Sequence, residues 1–81
     1  MTIMITPAQS RMARAALNMG AEETRKLAGL GANTLNRFEN GGGIMAATME
    51  KLVLTYQAKG IEFPDAETVR IGSPQEVSQA A

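Results

Sequence analysis

Apolar residues follow a helical repeat through most of the chain and alternate with polar residues near its end. An apolar stripe between Met12 and Leu17 lies on one face of a helix that Thr6 would cap. Glycine stops divide the remaining helical pattern into three further segments, and we expect Thr48 to cap the last of them. The predicted helices cover residues 7–17, 21–28, 32–39 and 48–59.

In the C-terminal quarter, the spacing of apolar residues changes from the helical repeat to every second residue. Residues 61–63 and 68–71 alternate apolar and polar side chains on either side of Pro64-Asp65-Ala66-Glu67, which is typical of two short strands. These strands form a hairpin or pair with the same segment of a second chain, because so short a pair is marginal alone. Residues 72–81 show no period and are expected to form a flexible tail. The pattern predicts a mainly α domain over residues 1–71, with four helices and a short C-terminal hairpin or dimerising strands.

The chain lacks both cysteine and histidine. Its 81 residues form one domain without a disulfide, a cysteine zinc site or a catalytic thiol. Histidine, the commonest general base and the commonest metal ligand, is also missing. We therefore expect a protein that is not an enzyme and that holds no cofactor and no metal. The sequence shows no signal peptide or membrane span, which favours a cytoplasmic protein with no membrane partner.

The charges balance overall but are unevenly placed. Eight Lys and Arg offset eight Asp and Glu, and a net charge of zero by itself counts against a polyanionic partner. Residues 1–59, however, hold seven basic side chains and four acids, a net charge of +3. The remaining residues, 60–81, hold one arginine and four acids, a net charge of −3. The helical part of the chain is therefore mildly basic.

Two short predicted helices, over residues 21–28 and 32–39, are joined by a tight turn that contains glycine. This layout is typical of a helix-turn-helix, whose second helix enters the major groove of DNA. Asn33 and Arg37 lie four residues apart on the outward face of that second helix. Asn reads adenine and Arg reads guanine through paired hydrogen bonds, so the pattern predicts a DNA-reading surface.

Two motifs within residues 21–41 carry a family resemblance. They are Leu-Ala-Gly-Leu at 27–30 and Asn-Thr-Leu-Asn-Arg-Phe-Glu-Asn-Gly at 33–41. Together they resemble the lambda-repressor/Cro-like (XRE) helix-turn-helix. The flanks are similar to those of short regulators found in proteobacteria, phages and integrative elements, so the resemblance extends over residues 6–71.

The resemblance implies roles for individual residues. It implies base contacts from Ala32, Asn33 and Arg37. It implies phosphate contacts from Thr34, Asn36, Asn40 and Gly41. It also implies a structural ion pair between Arg14 and Glu39, which would hold the third helix against the first.

The sequence departs from the family pattern at four positions. Thr24 and Arg25 stand where the family usually has Leu-Ala, so we expect looser packing of the second helix. Ala21 replaces a phosphate-binding Gln, and Gly31 replaces a Ser or Thr. We therefore expect fewer phosphate anchors and a modest affinity for DNA.

We expect a transcriptional regulator, either a repressor or a repressor and activator, that binds a palindromic operator as a homodimer. Two half-sites multiply the specificity of one short helix. The expected dimer contacts are Tyr56, Ile61, Phe63, Val69 and Ile71. The alternative is a protein-interaction module of the same fold, acting as an antiactivator or an antitoxin. The near-zero net charge and the departures in the second helix keep this alternative open.

Overall fold

Residues 4–72 are described by the structure, a computed structural model of the chain. Within this range there are four helices and one antiparallel pair of strands. They are α1 (Pro7–Leu17), α2 (Ala21–Ala28), α3 (Thr34–Glu39), α4 (Ala46–Ala58), β1 (Ile61–Glu62) and β2 (Arg70–Ile71). The predicted fold class, a mainly α domain with a short C-terminal hairpin, is confirmed. The predicted tail, apart from Gly72, lies outside the described residues.

Thr6, the predicted cap of α1, forms a capping box together with Gln9. The Gln9 backbone N–H donates to Thr6 Oγ1 at 3.1 Å, and the Thr6 backbone N–H donates to Gln9 Oε1 at 2.9 Å. Pro7 begins the helix, where an N–H would have no helical partner. The two side chains therefore satisfy two backbone donors that the helix itself leaves free.

The first three helices end in backbone turns of the Schellman type. A left-handed residue ends each helix: Asn18 with φ 57°, Gly29 with φ 75° and Gly41 with φ 98°. The following N–H bonds back across the turn, as in the 2.8 Å bond from Leu30 to the Arg25 carbonyl. Each helix therefore stops sharply, and the next element begins within a few residues.

The core lies between the helices and β1. α4 contributes four buried side chains and packs against both α2 and β1. Tyr56, at its C-terminal end, meets Phe63 edge to face, with ring centres 6.1 Å apart. The buried apolar residues in the described part of the chain are Ile5, Ala13, Ala28, Leu30, Leu35, Phe38, Met49, Leu52, Val53, Tyr56 and Ile61.

The hairpin has one polar and one apolar side. Ile61 pairs with Ile71 and Glu62 pairs with Arg70 across the two strands. Arg70 Nε donates to Glu62 Oε1 at 2.6 Å on the exposed side. Ile61 is buried against the core, whereas Ile71 beside it is 68% exposed. The apolar side of the hairpin therefore extends beyond the core that covers it.

The structure corrects several predicted boundaries. α3 begins at Thr34 rather than at residue 32, because the Thr34 N–H bonds to the Gly31 carbonyl in a turn that includes Ala32 and Asn33. α4 begins at Ala46, so Thr48 lies inside the helix and does not cap it. The strands are also shorter than the predicted 61–63 and 68–71.

Candidate nucleic-acid interface

The helix-turn-helix unit consists of α2, the turn of residues 29–33 and α3. Gly29 ends α2 in the left-handed conformation, and Leu30 after it is buried in the core. The Arg25 guanidinium reaches along the turn, where its Nη1 donates to the Leu30 carbonyl at 3.2 Å. The buried Leu30 side chain and the hydrogen bond from Arg25 therefore hold the turn that positions α3.

The three residues expected to contact bases are all exposed. Ala32 and Asn33 lie in the turn immediately before α3, and Arg37 lies one turn into the helix. The Arg37 N–H donates to the Asn33 carbonyl at 3.0 Å, which places the two residues one helical turn apart. Their side chains therefore occupy neighbouring positions at the outer surface of α3.

The residues expected to contact phosphates are less uniform. Asn36, Asn40 and Gly41 are exposed, whereas Thr34 is half-buried. Asn40 Nδ2 donates to the Asn36 carbonyl at 2.9 Å, so this side chain caps its own helix. Thr34 Oγ1 lies 3.1 Å from the position that a Cβ on Gly31 would take. The glycine found here in place of Ser or Thr therefore leaves the Thr34 hydroxyl uncrowded.

Glu39 is the single acidic residue of α3, and it faces the core rather than the outer surface. Arg14 Nη2 donates to Glu39 Oε1 at 2.6 Å, and Arg14 Nε donates to Glu39 Oε2 at 3.0 Å. This two-bond contact raises the pKa of Arg14. Arg11 Nη1 also donates to the Glu39 backbone carbonyl. Two arginines of α1 therefore hold the C-terminal end of α3, with the arrangement that the resemblance implies for Arg14 and Glu39.

Ser10 and Tyr56 complete the contact around Glu39, and the sequence did not identify either of them for this role. Ser10 Oγ donates to Glu39 Oε2 at 2.5 Å and lies 2.7 Å from the Tyr56 hydroxyl. Because the Ser10 proton points to the carboxylate, the Tyr56 hydroxyl is the donor in the second bond. Burial raises the pKa of Tyr56 to about 12. The only available signal was Ser10 lying four residues before Arg14, on the same helix face.

The departures in α2 are accommodated without exposing the helix interface. Thr24 is fully buried, and its hydroxyl donates to the Gly20 carbonyl at 2.9 Å. Burial of Thr24 does not measure the packing of α2, so the looser packing expected there stays a prediction. Arg25 lies along the surface, where its Nη2 is 2.7 Å from Glu22 Oε2. The contact with Arg25 lowers the pKa of Glu22.

The expected dimer contacts need correction at two positions. Tyr56 is 0% exposed and Ile61 is 1% exposed, so both side chains belong to the core of one chain and cannot reach a second chain. Phe63 and Val69 are half-buried against that core. Of the five residues, Ile71 is the one that the structure leaves open to a partner, at 68% exposed.

Comparison with known proteins identifies no family. A scan against models of known protein families finds no match, and a search of curated proteins finds no relative. Within residues 4–72, no helix is long and apolar enough to cross a membrane.

Proposed function

We propose that this protein is a sequence-specific, DNA-binding transcriptional regulator that acts in the cytoplasm as a homodimer on a palindromic operator. One observation carries the proposal. The outer surface of α3 offers asparagine amides and the Arg37 guanidinium, while its only carboxylate, Glu39, is 6% exposed and bound by Arg14. A short helix with donors outward and its acid turned inward suits the base edges and phosphates of a major groove.

The position of Arg37 supports a role in reading bases. In the described part of the chain Arg37 forms no ion pair, whereas Arg14, Arg25 and Arg70 each contact a carboxylate. The guanidinium therefore remains available for the two acceptors of a guanine edge. Asn33, one turn earlier, adds an amide that suits adenine.

A homodimer would bring two copies of α3 to one operator. The uncovered apolar side of the hairpin supports this part of the proposal, because Ile71 continues the surface of Ile61 outside the core. The sheet has only two strands of two residues each, so strands added by a second chain at Ile71 would stabilise it. Two half-sites one helical turn of DNA apart would then be read together.

A protein partner is a second candidate function, and the surface of α2 favours it. Glu22 lies 2.7 Å from Arg25 and 3.8 Å from Lys26, so it offsets the cations of this helix. Leu27, on the same helix, is 53% exposed. A helix surface that is neutral overall and partly apolar suits a protein partner better than a phosphate backbone.

Selection from a library of random duplexes, with the full chain as bait, tests the proposal. We expect enrichment of a two-fold symmetric motif. In a gel shift on that motif, Arg37→Ala should weaken binding by about 1–3 kcal/mol and relax the preference at one base position in each half-site. Binding to random DNA should change much less, because base reading and not charge is lost.

Lys51→Ala is the matched control, since it removes one exposed positive charge from α4 instead of α3. Its affinity for the selected motif should stay close to that of the parent chain. The operator proposal fails if no motif is enriched, or if Arg37→Ala binds the enriched motif as the parent does. If no DNA motif is enriched and a defined protein partner binds the α2 surface, the second candidate function is favoured.

A further inference from the structure

Gln9 is a buried polar residue whose role goes beyond the capping box. Its side chain is 1% exposed, and each of its polar atoms is bound. Oε1 accepts from the Thr6 N–H, as the capping box requires. Nε2 donates to two backbone carbonyls far along the chain, to Asp65 at 2.7 Å and to Thr68 at 3.0 Å. One carboxamide therefore joins the start of α1 to the loop between β1 and β2.

The loop presents its carbonyls to Gln9 in an ordered conformation. The Glu67 N–H donates to Asp65 Oδ1 at 2.8 Å, which closes a side-chain turn within the loop. That bond is the main reason that the pKa of Asp65 is lowered. Because the loop is closed by its own bonds, the two carbonyls reach Gln9 together.

The neighbouring residue makes the matching link to the other helices. Ser10 is fully buried and bonds to Glu39 of α3 and Tyr56 of α4. Gln9 and Ser10, adjacent in α1, therefore connect the hairpin on one side with α3 and α4 on the other. The hairpin and the helix-turn-helix are attached to the same turn of α1.

We propose that Gln9 is a positioning residue, which holds the hairpin in one orientation relative to α3 through its two bonds to the Asp65 and Thr68 carbonyls. The consequence for DNA rests on the proposed function. If the hairpin contributes to the dimer, its orientation sets the distance between the two copies of α3. Gln9 then determines which half-site spacing the dimer accepts.

Gln9→Glu separates the two roles of this side chain. A glutamate still accepts from the Thr6 N–H and is a preferred residue at this position of a capping box. It has no N–H to donate, and it places a negative oxygen against two carbonyls. Measured by hydrogen exchange, the amides of residues 61–72 should exchange about tenfold faster or more, while those of α1 should not.

Thr6→Ala is the matched control, because it removes the other half of the capping box and leaves both donors of Gln9 in place. It should speed exchange at the start of α1 and leave the hairpin unchanged. Unchanged exchange of the hairpin in Gln9→Glu would overturn the link between Gln9 and the loop.

The role in spacing is tested with the selected operator and a version with one base pair inserted between the half-sites. The parent chain should prefer the original operator strongly, and Gln9→Glu should reduce that preference about fivefold or more. A general loss of fold would weaken both complexes and leave the ratio unchanged, which would contradict the positioning role. If no operator is selected, the proposed function fails, and the exchange experiment still decides whether Gln9 holds the hairpin.

Discussion

At the scale of single residues, Glu39 explains how the surface proposed to read DNA stays mildly basic on a chain with no net charge. Its carboxylate would repel phosphates if it faced outward. In the structure it accepts hydrogen bonds from Arg14 and Ser10 and is 6% exposed. The loss of any one of these donors would leave a buried carboxylate oxygen with fewer hydrogen bonds, which costs stability. The same residue therefore orients α3 and keeps negative charge away from its outer face.

Tyr56 gives a direct test of this buried cluster, because it is the only tyrosine and the chain has no tryptophan. Burial raises its pKa to about 12, above the value of about 10 for an unfolded chain. The neutral phenol is therefore favoured by folding. Its contribution to stability is complete below pH 10 and is lost as the pH rises towards 12.

Absorbance of the tyrosinate near 295 nm measures this titration. In the native protein the absorbance should change little at pH 10, where an exposed tyrosine is about half ionised. The chain unfolded in urea is the control and should titrate near pH 10. A native titration that coincides with that of the unfolded chain would show that Tyr56 is not buried against Ser10.

At the scale of secondary structure elements, the C-terminal end of α3 depends on close backbone packing. Gly41 takes a positive φ, and the Gly42 N–H donates to the Arg37 carbonyl at 2.8 Å. A Cβ on Gly42 would lie 2.8 Å from Arg37 Cγ and 2.9 Å from that carbonyl oxygen. The turn that ends α3 therefore also packs against the residue expected to read a base.

Gly42→Ala should destabilise the protein by about 1–3 kcal/mol, because the new methyl group has no space and must displace Arg37. Gly43→Ala is a closely matched control, since a Cβ there meets nothing within 4 Å and the residue has no positive φ. Its effect should stay within about 0.5 kcal/mol. Urea denaturation followed by circular dichroism gives both values, and equal stability of the two variants would contradict the crowding at Gly42.

The helices show which parts of a fold a sequence can predict. α1 and α2 have the predicted bounds because their stops are local: Asn18 and Gly29 adopt the left-handed turn within a few residues. The predicted start of α4 is wrong, because Thr48 is a good capping residue by type, while the helix begins at Ala46 after extended backbone at Met45. The end of a helix at a left-handed residue can therefore be predicted from local sequence more easily than the beginning of a helix that no side chain caps.

The candidate site divides in the same way. Exposure of Asn33 and Arg37 follows from helical spacing, because a polar residue one turn from another shares its face. The bonds of Ser10 with Glu39 and Tyr56 span 29 and 46 residues of sequence, and no local pattern encodes them. Tyr56 is an example, since it was expected to be a dimer contact and the structure buries it in the core.

At the scale of the whole molecule, the separation of charge along the chain sets how the protein should respond to salt. The net charge of +3 on residues 1–59 is small, and two of the cations counted in it, Arg25 and Lys26, lie close to Glu22 on α2. The acidic residues 60–81 give no attraction to DNA. Binding in the proposed complex therefore depends more on base contacts than on phosphate charge.

We expect a shallow dependence of DNA affinity on salt. With roughly three to five phosphates neutralised by a dimer, log K should fall against log salt with a slope between about −3 and −5. Fluorescence anisotropy on the selected duplex between about 50 and 200 mM salt measures the slope. A slope steeper than about −8 would show that phosphate charge dominates and that the reading surface is larger than α3.

The link from Gln9 to the hairpin also has a consequence for synthesis of the chain. Its partners Asp65 and Thr68 lie 56 and 59 residues further along, so the first helix cannot satisfy its buried amide until the last strands have been made. At roughly 5–20 residues per second, a nascent chain spends several seconds with this contact open. The helix-turn-helix is translated before the element that completes it. A newborn chain therefore acquires its final arrangement only after Thr68 has been translated.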